Sequence, residues 1–491
     1  MTRTANGATA QFALPELFLT AFGIITLLLV NKAGLVGNLA FFCVLTAMVA
    51  HSPEMAFRAL TLCFLGLVSN QAIVLKTPIW TIGRLVIPAL CFARFLFDLA
   101  KLRQSLFRPR YLGALAAFIV VAGILSVMTN YYVHIALLKL VNFGMGSFAM
   151  LLGARIIAVR RSDLTPWFVA MVLAVVLLGL ATIPLGIGYN FRGSEGRSQG
   201  LFNGPFYHSN CMGPMSSLMA LLMASVVVFG PYRNRWLCGS LGLCLLYMMF
   251  LTKSRTGLGS FIVGFLSIVF LTFMLKRRHL IQLRMRISRS ALVSCLLLGG
   301  ILAFGYNVAS NQALTRAAIT FAQKGKESEA LSVDDVLASR QGIIDYMWAN
   351  FLASPWIGIG FEVSTHPYFQ QNATLFNAPI EKGFLPVAVL EETGIIGTTF
   401  FVIFLLAFAV SLALELNVPG LSLLFAFLAV NCGEAMFFSL GGHGGYGWLM
   451  MTAGIMLGQR CIVRVQPRER RLDQPRTLAP AIPHLQPSFN G

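Results

Sequence analysis

Apolar runs long enough to cross a lipid bilayer recur along most of this chain, and that repetition leaves it few ways to fold. A hydrocarbon core takes roughly 20 residues of helix, and inside it every backbone amide and carbonyl must find its partner within the protein. Runs such as 165–189, 256–275 and 398–414 meet that length. Candidate spans lie near 13–31, 35–50, 57–75, 79–99, 111–128, 132–158, 165–189, 209–230, 236–252, 256–275, 290–308, 384–414, 419–439 and 444–461. Because 35–50 and 236–252 are short, the expected count is about 12–14. Only 11% of the 491 residues are charged, and mean hydropathy is +0.75; a soluble domain is about a quarter charged. The expected fold is all-α and polytopic. The first span ends without a small-residue cleavage site and is expected to be retained.

A net charge of +19 resembles a nucleic-acid signal, but its distribution argues against one. Basic residues cluster in alternate loops: Lys101 to Arg110, Arg160 and Arg161, Arg233 and Arg235, Lys276 to Arg289, and the tail from Arg464 to Arg476. If the spans alternate, these loops share one face, which the positive-inside rule makes cytoplasmic. Both termini are then inside. The Pro- and Arg-rich end reads as a solvated tail. The nine cysteines are scattered singly and suit apolar packing. There is no G-x-x-x-x-G-K-[ST] loop and no G-x-G-x-x-G after a strand, so nucleotide-driven chemistry is not expected. No metal cluster is expected either.

Four regions follow. Residues 1–308 form spans with short loops, 309–383 a large polar outer loop, 384–462 the last spans, and 463–491 the basic tail. The outer loop carries Glu327, Glu329, Asp334, Asp335, Asp345, Glu362 and Glu381.

Several basic residues lie on the outer side against the rule. Arg197 opens R-S-Q-G-L-F-N-G-P-F-Y-H-S-N (197–210). Arg255 sits in T-K-S-R-T-G (252–257) at a span mouth. A guanidinium there costs several kcal/mol unless paired or facing water. Arg340 precedes Ile343, Ile344, Met347, Trp348 and Phe351, whose helical spacing predicts an amphipathic helix with Arg340 near its start. Three guanidiniums at one face suit an anionic ligand with several phosphate oxygens. The rival reading pairs each with a loop carboxylate. Lys382 is grouped with them as a donor-binding candidate.

These segments resemble the O-antigen ligase / polysaccharide polymerase family of bacterial inner-membrane proteins. The likeness rests on R-x-x-G-x-F-x-x-P with S-N (197–210), S-R-x-G (254–257), S-R…W…P-x-x-G-x-G (339–360) and E-x-G-I-I-G (392–397), in that order, over about residues 190–440. The resemblance implies a GT-C-type membrane glycosyltransferase, nearer to exopolysaccharide polymerases than to ligases onto lipid A core. It would take glycan from undecaprenyl pyrophosphate at the periplasmic face, without metal, cofactor or nucleotide sugar. Implied partners are membrane lipid and other polysaccharide-assembly proteins, with no nucleic acid. The arginines would hold the pyrophosphate as it leaves. The alternatives are ligation onto lipid A core and, from another class, a transporter of lipid-linked substrate.

The chain departs from the family at one point. A His-Asn pair is expected about ten residues before E-x-G-x-x-G, and here E-K-G-F-L-P (381–386) stands instead. Glu381 is then the first candidate base and His366 the second, with His208 and His443 as further options. His443, in G-G-H-G-G-Y-G, reads as part of a turn. Glu434 reads as a carboxylate buried mid-span, which is functional by default. Arg94 and Asp98, at i,i+4, read as a structural pair.

Overall fold

The computed structural model describes residues 14–70, 74, 78–101, 109–129, 132–160, 162–189, 201–230, 235–277, 333–372 and 382–461. The expected span 290–308, Arg197, Glu381 and the tail 463–491 lie outside these residues. The described residues form helices α1 (Leu14–His51), α2 (Pro53–Val68), α3 (Pro78–Lys101), α4 (Arg110–Thr129), α5 (Val133–Val159), α6 (Thr165–Thr182) and α7 (Ser209–Phe229). The second half contains α8 (Arg235–Leu251), α9 (Arg255–Arg277), α10 (Val333–Ala353), α11 (Pro367–Asn372), α12 (Leu385–Leu414), α13 (Val418–Asn431) and α14 (His443–Cys461). Among them there is no strand, only isolated bridges between Ser69 and Phe206 and between Tyr189 and Phe202.

Among the described residues, seven segments are long and apolar enough to cross a membrane: Ala33–His51, α4, α5, α6, α7, Arg255–Leu275 and α12. Leu14–Val30, α8 and α13 are shorter and also apolar. The all-α polytopic expectation is borne out. The spans expected at 13–31 and 35–50 are the arms of one hairpin. Gly34 breaks α1 with φ 52°, and Gly23 of the first arm packs on Val44 and Met48 of the second. A left-handed φ of this kind is open to glycine at little cost.

The helices alternate direction between two ends of the bundle. At the first end, Glu54 of α2 and Asp98 of α3 meet Arg160 at the end of α5, and Arg155 of α5 meets Glu415 at the end of α12. The expected Arg94–Asp98 pair is here, at 2.9 Å. At the second end lie the starts of α3, α5, α7, α12 and α14. α14 runs through the centre and packs against α2, α5, α6, α7 and α13. The outer sides of α4, α9 and α12 expose Val120, Ile124, Leu266, Phe270, Leu406 and Val410 to the lipid. Lipid is as apolar as these side chains, so their exposure costs little there.

α13 ends sooner than hydropathy predicts. The Asn431 side chain accepts the amides of Met436 (2.9 Å) and Phe437 (2.7 Å), taking over hydrogen bonds that would continue the helix. Glu434 is therefore not mid-span: it lies half-buried in the turn between α13 and α14. His443 is likewise not in a turn but opens α14.

Candidate functional site

At the second end the helix starts do not close on one another but surround a cavity of about 320 Å³. Arg84 reaches it from α3, Lys139 and Asn142 from α5, and Tyr207 and Asn210 from the start of α7. Glu362 enters from the segment after α10, and Lys382 and Glu392 from the start of α12. Glu434, Ser439 and His443 complete the wall, where His443 stacks on Tyr207 at 4.8 Å between ring centres. Phe438 forms part of the lining and packs on Phe118, Phe143, Phe361 and Phe401. This aromatic layer separates the polar cavity from the apolar core.

Two glycine motifs build one side of the cavity by locking together. Ile359 and Gly360 donate their amides to the carbonyls of Glu391 and Glu392, each at 2.9 Å. In return Ile395 donates to Pro355 (2.8 Å) and Ile396 to Trp356 (3.3 Å). The exchange needs α12 to break, and it does so at Gly394, φ 60°. The strands of backbone come so close that a Cβ on Gly394 would sit 2.4 Å from the Trp356 carbonyl, and one on Gly358 2.5 Å from that of Glu392. P-x-x-G-x-G and E-x-G-I-I-G are thus two halves of one joint, and the joint aims Glu391 and Glu392 at the start of α12.

Lys382 occupies the centre of that region. Its ammonium lies 2.7 Å from Glu391 Oε2 and 2.9 Å from Glu392 Oε1, and it donates to the Val363 carbonyl at 2.8 Å. Burial alone would lower its pKa, but Glu392 and Glu391 outweigh burial and hold it above the ordinary lysine value. Asn350 Nδ2 bonds Glu391 Oε1 at 2.7 Å, which ties α10 to the same cluster. These three contacts tie the Lys382 ammonium to the cavity wall.

The other sequence candidates are spread around this centre. Arg255 opens α9, where Ser254 Oγ accepts the Gly257 amide at 3.1 Å. Thr256 packs against Gly433, so this turn adjoins the segment carrying Glu434, although Arg255 does not line the cavity. Arg340 lies on α10, one turn and more past its start rather than at it. On α10, Met347 and Phe351 are buried, whereas Ile343 and Trp348 of the expected apolar face are exposed. His366 is exposed beside Tyr346, away from the cavity lining.

Arg84, Lys139, Glu362, Glu391 and Glu392 are cavity or wall residues that the sequence reading passed over. Arg84 and Lys139 sit inside apolar helices, where ionisable residues face a partner or a water-filled space by default. That rule, applied to Glu434, would have found both. No local pattern marks Glu362.

Residues 240–402 match the family model described as O-antigen ligase, which bears out the resemblance carried by the motifs. The matched segment contains Arg255, Arg340, Glu362, Lys382 and the interlocked glycines, and leaves out Arg84, Lys139, Glu434 and His443. No curated protein matches the chain.

Proposed function

We propose that this O-antigen-ligase-type membrane protein transfers glycan from undecaprenyl pyrophosphate to an acceptor at the periplasmic face of the bacterial inner membrane, lengthening or ligating repeat units. The observation that carries the reading is the polar cavity at one end of the bundle, walled by two interlocked motifs of the O-antigen ligase segment. Glycosyl transfer from a pyrophosphate needs cations where the leaving charge develops and hydrogen-bonding groups for the acceptor sugar. Arg197, Arg255 and Arg340 are assigned to the donor phosphates, because a guanidinium binds phosphate oxygens bidentately and stays charged. Glu362, Asn142, Asn210 and the Tyr207–His443 stack offer the acceptor a mixed polar surface. Lys382 is assigned to holding the wall. By the positive-inside rule, the basic loops of the sequence support a cytoplasmic position for the opposite end.

The test is reconstitution of the purified chain with an undecaprenyl-pyrophosphate-linked repeat unit, in EDTA and without nucleotide. Longer glycans and released undecaprenyl pyrophosphate are expected. A lipid A core acceptor in a parallel arm separates ligation from polymerisation. The break at Gly394 beside buried charges is a feature that transporters also use. Substrate crossing the vesicle membrane unchanged, with no product, would replace the enzyme reading by that one. Labelling of a Ser328→Cys variant from outside intact cells tests the face.

A further inference from the structure

We infer that Glu362 is the catalytic base for the acceptor hydroxyl, in the role for which Glu381 and His366 are the candidates in the sequence. The inference rests on the glycosyl-transfer reading.

Glu362 is a non-glycine residue held at φ 51°, in the left-handed region. Such a conformation persists only where its surroundings over-determine it, and residues of this kind cluster at functional sites. The surroundings here are explicit. On one side Phe361 is fully buried under the aromatic layer, and its amide donates to Ser126 Oγ of α4 at 3.0 Å. Lys139 of α5 donates to the carbonyl of Glu362 itself at 2.7 Å. Lys382 donates to the next carbonyl, that of Val363, at 2.8 Å. Three hydrogen bonds from separate elements thus pin the backbone on both sides of the strained residue.

The consequence is the placement of the carboxylate. With Phe361 anchored inward, the Glu362 side chain lines the cavity and is 18% exposed. Lys139 gives its short hydrogen bond to the carbonyl and stands 3.8 Å from Oε2, so the carboxylate is neighboured by a cation rather than tied up by it. Glu391 and Glu392, by contrast, are buried and engaged with Lys382 at 2.7 and 2.9 Å. Of these three carboxylates, Glu362 is the one that a substrate hydroxyl can approach.

The step balances without any further reactant. The acceptor O–H breaks and its proton passes to Glu362. The hydroxyl oxygen bonds to the anomeric carbon, whose bond to the phosphate oxygen breaks. Undecaprenyl pyrophosphate leaves with the electron pair, and Glu362 returns its proton to water.

The experiment compares the full-length wild-type chain with Glu362→Gln and Glu362→Gly in reconstituted vesicles. Glu362→Gln is expected to cut transfer by about 10²–10⁴-fold, the usual contribution of a general base. Its affinity for undecaprenyl pyrophosphate should stay within about twofold, since an equal loss of binding and rate would mark a binding group instead. Glu362→Gly relieves the strained φ, so it should unfold at no lower a temperature than the Gln variant while remaining inactive. Added formate should restore part of its activity by supplying a carboxylate in the space left. The inference is overturned if Glu362→Gln keeps more than about a tenth of wild-type transfer, well above the loss a general base implies. It is also overturned if donor affinity falls in parallel with rate, or if formate restores nothing to a folded Glu362→Gly chain. A wild-type protein that makes no product overturns the functional reading itself, which is a separate result.

Discussion

The two ends of this bundle use the same residue types for different ends. At one, Arg94, Asp98, Arg160 and Glu54 are joined in a chain of contacts at 2.9, 3.6 and 3.9 Å, and Arg155 meets Glu415 beside Gln459. Among the described residues, these contacts bridge the helix ends there. At the other, Arg84, Lys139, Lys382, Glu362, Glu392 and Glu434 stand around about 320 Å³ of open space. Charge type does not separate the two; the amount of left-handed backbone does, Leu416 (φ 54°) beside Glu415 being such a residue at the first end. Gly358, Gly360, Glu362, Gly383 and Gly394 all have left-handed φ at the cavity end, and they let the chain break, turn back and lock against itself. Ion pairs between regular helices make a closed end, whereas ion pairs held by broken backbone leave room for a ligand.

The largest effect expected from this contrast comes from Lys382→Met. It would leave Glu391 and Glu392, both buried, without the one ammonium they share. Breaking a buried pair from one side costs about 3–5 kcal/mol, to be read as a lowered unfolding temperature in detergent. Adding Glu391→Gln and Glu392→Gln to the same chain should recover most of the loss, because the buried charge is then gone. The folded ammonium titrates above its ordinary value, so its contribution is complete below the unfolded pKa and is lost only as pH rises through the folded one. The ammonium itself therefore stays charged at pH 6 and at pH 8, on the about 10.4 reference value of lysine. A cost no larger than that of a mutation at the closed end would break the comparison.

Next comes the joint. Gly394→Ala puts a methyl group 2.4 Å from the Trp356 carbonyl at a left-handed φ. The backbone strain alone is about 1–3 kcal/mol, and the clash adds to it. Because the joint aims Glu391 and Glu392, glycan transfer should fall by more than stability does. Full transfer in a folded Gly394→Ala chain would show that the interlock is packing alone.

The difference between the ends also explains what the sequence makes legible. Spans are readable because lipid demands a run of apolar residues whatever the neighbours are. The Arg94–Asp98 pair is readable because both partners lie on one helix face. The motif glycines are visible as motifs, but the partner of each lies about 35 residues away, where local pattern is silent. The cavity is less legible still, since its wall draws on segments from Arg84 to His443. Glu434 was misplaced for a related reason: hydropathy runs on past the point where one side chain, Asn431, ends the helix.

Smaller effects are expected at the closed end, beginning with Arg94→Gln. Arg94 gives Nε to Asp98 at 2.9 Å and Nη1 to the Ala50 carbonyl at 2.9 Å, and its side chain is 23% exposed. Asp98 is nearly buried and has a second cation, Arg160, at 3.6 Å. Losing Arg94 alone therefore leaves Asp98 a partner, and the cost should be near the upper end for an exposed pair, about 1 kcal/mol. Glycan transfer should not change, because none of the described residues at this end lines the cavity. Arg160→Gln alone should cost less, since that side chain is 38% exposed and its contacts are longer. Together the two changes remove both cations that neutralise Asp98 among the described residues. The double variant should then lose more than the sum of the singles, by about 0.5–3 kcal/mol, the range for residues sharing a partner. Simple additivity would mean that Asp98 is not held jointly, and the closed end would be a set of independent surface pairs rather than one connected network.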